Sequence, residues 1–229
     1  MSKFIVIAAS SSIGESVVET LKADGHDVFT TSRNAGYDAI LDATDFSAVE
    51  EVFKHAGEID GVVCCAGSLL LKGAAHTSFD EYMSVVHASL STSFATVRAA
   101  AKYMKSGGSV VLISSAAAME GLANHEAIAA AKGGVIALAR SAAATYAGQN
   151  LRFNVVAPGL TKTNLTKALT SNEMSLKVSE SMHALGRIGE PQDIANAITF
   201  LLSPQNSWIT GQVLGVDGGL SRVRPKTKA

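Results

Sequence analysis

Short apolar runs alternate with stretches in which apolar residues recur every three or four positions, and this alternation continues along the whole chain. The runs at 3–9, 27–31, 60–66, 108–114, 151–157 and 212–216, with a short one near 38–41, predict strands. Helical periodicity covers 13–24, 46–55, 79–104, 123–148 and 191–203. Strand and helix in turn is the rhythm of a parallel sheet covered on both faces, an α/β fold. No internal repeat, low-complexity segment or linker divides the chain, so a single domain is expected over residues 1–220. The least regular stretch is 160–186, polar, with a short helical pattern at 173–183. A connection that long inside a compact domain is commonly a lid or binding loop. Residues 221–229 are basic and read as a solvated tail, or one that reaches a neighbouring subunit.

Composition narrows the class. With 229 residues, 47% of them hydrophobic and 17% charged, the chain can bury a substantial core and does not resemble a disordered one. A formal net charge of −1 offers no electrostatic basis for a nucleic-acid or anionic-membrane partner. The first apolar run, residues 4–9, is too short for a signal core or a membrane span, so a cytoplasmic protein is expected. The two cysteines, Cys64 and Cys65, are adjacent. Neighbours seldom form a disulfide of normal geometry and lack metal-ligand spacing, so reduced thiols at a strand end, and no metal, are expected.

Several blocks carry chemistry. The first strand runs into Ala8-Ala9-Ser10-Ser11-Ser12-Ile13-Gly14, and another strand ends in Ser114-Ser115. Ile128-Ala129-Ala130-Ala131-Lys132 follows on an Ala-rich helix, then Asn154-Val155-Val156-Ala157-Pro158-Gly159, and finally Gly211 through Gly219. In this order the blocks make the chain, from residue 3 to about 220, resemble the short-chain dehydrogenase/reductase family. The resemblance implies a single-domain Rossmann-type, doubly wound parallel sheet of about seven strands with helices on both faces. It also implies a nicotinamide dinucleotide cofactor and a small-molecule substrate.

A glycine-rich loop between strand and helix lets backbone N–H groups approach a pyrophosphate at the positive helix end. Here Ala8 and Ser12 stand at two of the family's three glycines and only Gly14 is kept, so Ser10, Ser11, Ser12, Ile13 and Gly14 are expected around the phosphates. Nineteen residues beyond Gly14, where NAD-preferring sites carry an acid, stands Arg33, preceded by Ser32. A guanidinium there suits a 2′-phosphate, which makes NADP(H) the expected cofactor; the alternative is an exposed turn arginine. By resemblance, Asp42 and Ala43 lie beside the adenine, and Cys65-Ala66-Gly67 lines the ribose with Lys132. Pro158, Gly159, Thr161 and Thr163 hold the nicotinamide.

The family's catalytic site is where the chain departs. A tyrosine phenol ordinarily transfers the proton, its pKa near 10 lowered by a lysine one helical turn away, while a serine holds the substrate oxygen and an asparagine supports a water. This chain keeps Ser115 and Lys132, has Ser89 at the asparagine position, and has Ile128 at the tyrosine position. Losing a positioned general acid costs ~10²–10⁴-fold in rate, roughly 3–6 kcal/mol of barrier. His125, three residues before Ile128, is a substitute donor if the helix is continuous, and otherwise a solvent-facing helix start. Glu126 and His87 are weaker candidates. Residues 69–75, 119–124 and 160–186 are expected to wall a pocket for a modest neutral organic substrate.

Small residues from Ala127 to Gly134 leave room for close backbone approach. By resemblance, this helix and the one at 79–104 pair with their copies, and a homodimer or homotetramer is expected in preference to plain intrachain packing. Two functions remain open. One is an NADP(H)-dependent oxidoreductase acting on a carbonyl or enone with a non-standard proton donor. The other is a non-redox protein on the same scaffold, binding nucleotide as a sensor or inactive partner, or catalysing isomerisation, cyclisation or elimination.

Overall fold

A computed structural model describes residues 1–225; residues 226–229 of the expected basic tail lie outside the described residues. The strands are β1 (Lys3–Ile7), β2 (Asp27–Ser32), β3 (Ala39–Ile40), β4 (Gly61–Cys64), β5 (Gly108–Ile113), β6 (Leu151–Pro158) and β7 (Val213–Val216). All pair in parallel in one sheet of order β3-β2-β1-β4-β5-β6-β7. The chain winds outward in one direction from β1 and in the other from β4, so the order reverses between them. Ligand clefts of doubly wound sheets open at that switch point.

Helices α1 (Ser12–Ala23) and α8 (Pro191–Leu202) cover one face; α2 (Phe46–Ala56), α4 (Thr92–Tyr103) and α5 (Glu126–Tyr146) cover the other. Successive strand side chains point to opposite faces. Thus Ile5, Val62, Val110 and Leu112 join one core, while Phe4, Val63, Val111 and Ile113 join the other. Burial on both faces is why the strands read as continuous apolar runs rather than alternating ones. By length and composition the segment Glu126–Gln149 would cross a bilayer, but in this fold its Val135, Ala139 and Ala142 belong to the core and α5 packs along β6.

The structure departs from the sequence reading at specific points. β1 ends at Ile7, not residue 9, because Ala8 turns to φ 59°. The helix expected over 79–104 is divided into α3 (Phe79–Val86), a π-helical turn (His87–Ser91) and α4. There the Thr92 amide donates back to the His87 carbonyl, while the Thr92 and Ser93 hydroxyls bond the carbonyls of Ala88 and Ser89 at 2.9 and 2.7 Å. Hydroxyls competing for ladder carbonyls open the helix at this point. α5 begins at Glu126 rather than 123, because Asn124 (φ 62°) and His125 (φ −113°, ψ 12°) are not helical. The 160–186 stretch holds α6 (Lys167–Thr170), which the pattern did not predict, and α7 (Glu173–Met182). Ser221, read as the start of a solvated tail, is buried and donates to Asp217.

Candidate active site

The carboxyl ends of the strands around the switch point open on one cleft of about 590 Å³. A smaller hollow of about 330 Å³ near Phe53 and Tyr103 holds none of the expected site residues.

At one end of the cleft lies the loop between β1 and α1. Ser11 caps the helix: its hydroxyl donates to the Ala8 carbonyl at 2.9 Å and accepts from the Gly14 amide at 3.1 Å. The amides of Ser12 and Ile13, which line the cleft, have no partner among the described residues. Gly14 lies behind the lining, and a Cβ on it would come 2.6 Å from the Ala8 carbonyl oxygen, so the tight turn needs glycine there. Ser12 also accepts from the Asn164 amide at 3.2 Å, which joins this loop to the 160–186 stretch. Ser32 is buried behind the wall and donates to Ser10 at 2.7 Å, fastening β2 to the loop. Arg33 is exposed on the rim with no ion pair among the described residues. Asp42 and Ala43 lie on the same wall; bonds from Thr44, then the nearby Arg33 charge, hold the Asp42 carboxyl below the ordinary range.

At the other end both serines line the cleft but differ in their bonds. Ser114 is buried and donates to the Lys132 carbonyl at 2.8 Å, clamping α5 to β5. Ser115 faces the cleft; its oxygen accepts from the Ala117 amide at 3.2 Å, and its proton has no acceptor among the described residues. Lys132 lies 5% exposed, with Nζ donating to the Ile113 carbonyl at 2.8 Å. Burial lowers its pKa from 10.5 to about 8, with the thiols of Cys64 and Cys65 pulling the other way. Cys65, on the cleft wall with Ala66 and Gly67, has its thiol pushed well up by burial and stays protonated. Ile128 lines the cleft one turn before Lys132 and packs with Val85 and Ala131. His125, the N-cap of α5, also lines it, with Nδ1 2.7 Å from the Ala123 carbonyl.

Ser89 is fully buried behind the wall, and its hydroxyl lacks a partner among the described residues. A Cβ on Gly67 would come 3.2 Å from Lys132 Nζ and 4.0 Å from Ser89 Oγ, so both atoms border the space that this glycine keeps free. His87 is exposed and off the cleft, as is Glu126. Of the expected substrate walls, 69–75 and 119–124 contribute only Leu69, Leu71 and Leu122, whereas the 160–186 stretch contributes residues from Leu160 to His183.

The third side is the turn after β6. Pro158, Gly159, Thr161 and Thr163 all line the cleft. Thr161 donates to the Gly159 carbonyl at 3.2 Å, and Thr163 shares a 3.0 Å bond with Thr166. Leu165, Leu169, Ser179, Met182 and Leu220 complete this wall together with His183. All but Leu220 lie in the 160–186 stretch expected to wall the pocket; which of its residues face inward carries no spacing signal, and Leu220 was not anticipated.

A family model described as Enoyl-(Acyl carrier protein) reductase matches residues 7–221. The chain is 32% identical to the 3-oxoacyl-[acyl-carrier-protein] reductase FabG of Salmonella typhimurium, covering 96% of this chain and 97% of that protein. The solved aldohexose dehydrogenase of Thermoplasma acidophilum superposes with a TM-score of 0.90 at 31% identity, covering 100% of this chain and 97% of that one. ElxO solved with NADP bound superposes with a TM-score of 0.89 at 28% identity, covering 96% and 99%. These likenesses assign the chain to the short-chain dehydrogenase/reductase family.

Proposed function

We propose that this chain is an NADP(H)-dependent oxidoreductase acting on a small neutral carbonyl or enone, with a proton donor other than tyrosine. The observation that carries the reading is one cleft holding loop amides and a guanidinium without partners among the described residues, together with Ser115 and a buried lysine. This donor set fits a phosphorylated dinucleotide. The Ser12 and Ile13 amides face phosphate at a helix N-terminus, and Arg33 binds a 2′-phosphate through charge-assisted bonds. Asp42 and Ala43 flank the adenine, Cys65, Ala66, Gly67 and Lys132 line the ribose, and the 158–163 turn holds the nicotinamide. NADP bound to the related ElxO supports the same cofactor here.

When bound, the cofactor supplies or accepts the hydride. Ser115 donates its uncommitted proton to the substrate oxygen and so orients it. Ile128, standing where the family carries its tyrosine, transfers no proton, which slows an ordinary ketone by ~10²–10⁴-fold. Lys132, its pKa lowered to about 8 by burial, is available to exchange a proton, and His125 also lines the cleft. Ser89, unpartnered beside the space that Gly67 keeps free, is suited to hold a solvent molecule that reprotonates Lys132. An enone relaxes the demand further: hydride goes to carbon, Ser115 and Lys132 stabilise the oxyanion, and water protonates it. Self-association through α4 and α5 belongs to this reading, with Phe94 about half exposed on α4.

One observation favours a second reading, a non-redox protein on the same scaffold. Ile128 is 3% exposed and packed in its own apolar cluster, so the position is built for burial rather than for proton transfer. Titration with NADPH and NADH, followed by nicotinamide fluorescence, tests the proposal. NADPH is expected to bind more tightly, with the preference lost in Arg33→Ala. A panel of enones and carbonyls should then yield turnover that Lys132→Ala abolishes. Absence of binding by either nucleotide would discard the redox reading.

A further inference from the structure

We propose that His183 is a positioning residue, whose imidazole pins the turn after β6 to the cleft helix α7 and so sets the nicotinamide end of the cleft. The inference rests on the NADP(H) reading above. His183 belongs to no motif, yet it is 4% exposed and both its ring nitrogens are engaged. Nδ1 lies 2.6 Å from the carbonyl of Ser179 on α7, and Nε2 lies 3.3 Å from the amide of Leu160 in the turn. A carbonyl only accepts and an amide only donates, so a single neutral tautomer, with the proton on Nδ1, satisfies both. A buried imidazole is tolerated on these terms, because an unpaired ring nitrogen would be costly there.

The slot around the ring is made by two glycines from different segments. A Cβ on Gly159 would come 2.7 Å from Nε2, and a Cβ on Gly218 would come 3.5 Å from the ring carbon Cδ2. The Leu185 amide then bonds the Gly218 carbonyl at 3.0 Å, so the turn after β6, the end of α7 and the turn after β7 meet at one side chain. All three segments reach the cleft: Gly159 and Leu160 from the turn after β6, Ser179 and Met182 from α7, and Leu220 from the turn after β7. Loss of the Leu160 bond therefore releases the turn that faces the nicotinamide, while the Arg33 end of the cleft stays as it is.

The two bonds separate by substitution. In His183→Asn the side-chain amide keeps a donor where Nδ1 stood and loses the acceptor for Leu160. In His183→Gln the side-chain oxygen reaches the Nε2 position and keeps it, and His183→Leu removes both. Two probes read the effect: NADPH, and adenosine 2′,5′-bisphosphate, which carries the 2′-phosphate end without nicotinamide. The Asn and Leu variants should bind NADPH roughly tenfold more weakly, with adenosine 2′,5′-bisphosphate affinity unchanged and NADPH affinity restored to within about threefold in the Gln variant. Unchanged NADPH binding in all three, parallel loss of both probes, or no rescue by Gln would overturn the assignment. If wild-type protein binds neither probe, the NADP(H) reading itself fails and takes this inference with it.

Discussion

Lys132 gives the sharpest quantitative test, because its burial ties stability to pH over a window where the reaction would run. Its pKa falls from 10.5 to about 8, chiefly because the folded chain removes the ammonium from water. Below pH 8 the lysine is protonated in folded and unfolded chains alike, and the whole cost of burying the charge is present. Between pH 8 and 10.5 the folded chain releases the proton while the unfolded chain keeps it. The unfolded state then binds more protons, so stability rises with pH. At ~1.4 kcal/mol for each tenfold change in proton affinity, the gain is about 1 kcal/mol by pH 9 and approaches roughly 3 kcal/mol above pH 10. Other lysines and tyrosines titrate there too, so the comparison is with Lys132→Met, which has similar length and no proton. Loss of the bond to the Ile113 carbonyl shifts the Met variant by an amount that does not depend on pH. Urea unfolding of both proteins at pH 7, 8, 9 and 10 should show the wild type gaining on the variant as pH rises. A difference that stays constant across this range would mean that the amine remains hydrated and protonated. Lys132 would then be no proton exchanger near neutrality.

The adjacent serines should behave oppositely: Ser114→Ala loses a buried bond and about 1 kcal/mol of stability in urea titration. Ser115→Ala loses a lesser ~0.5 kcal/mol but ~10²-fold in turnover on any substrate found; similar kinetic losses in both would refute the division of roles. Ala8→Gly relieves a left-handed alanine, worth ~1–2 kcal/mol, against ~0.5–1 kcal/mol for glycine's greater unfolded freedom. The net should raise Tm by about 2 °C in calorimetry, and a lowered Tm would argue against that conformation. Gly14→Ala drives a methyl to 2.6 Å from the Ala8 carbonyl and should abolish NADPH binding while a folded circular-dichroism spectrum persists; retained binding would show that the loop can rearrange.

Much of the fold was legible because the central strands are buried on both sheet faces and the helices that cover them on one. That requirement writes itself into local periods: Phe4 to Ile7 as a continuous run, Val49, Val52, Phe53 and Ala56 as a helical stripe. Ends and interruptions were less legible. The turn at Ala8 and the π-helical turn at Ser89 depend on single backbone angles and on hydroxyls that choose a carbonyl over water. No hydrophobic period reports those choices.

For the site, the chain itself determined which chemical groups exist: the guanidinium of Arg33, the aliphatic side chain of Ile128, the hydroxyl of Ser115 and the amine of Lys132. Only the tertiary structure decided which of them face the cleft and in what electrical environment. Ser12 meets Asn164 across 152 residues of sequence, His183 meets Leu160 across 23, and Lys132 Nζ reaches the Ile113 carbonyl across 19. Secondary structure follows from neighbours a few residues apart, which a linear pattern records. Burial, orientation and the pKa of a buried amine follow from atoms brought together by the crossovers of the sheet, and these have no linear signature.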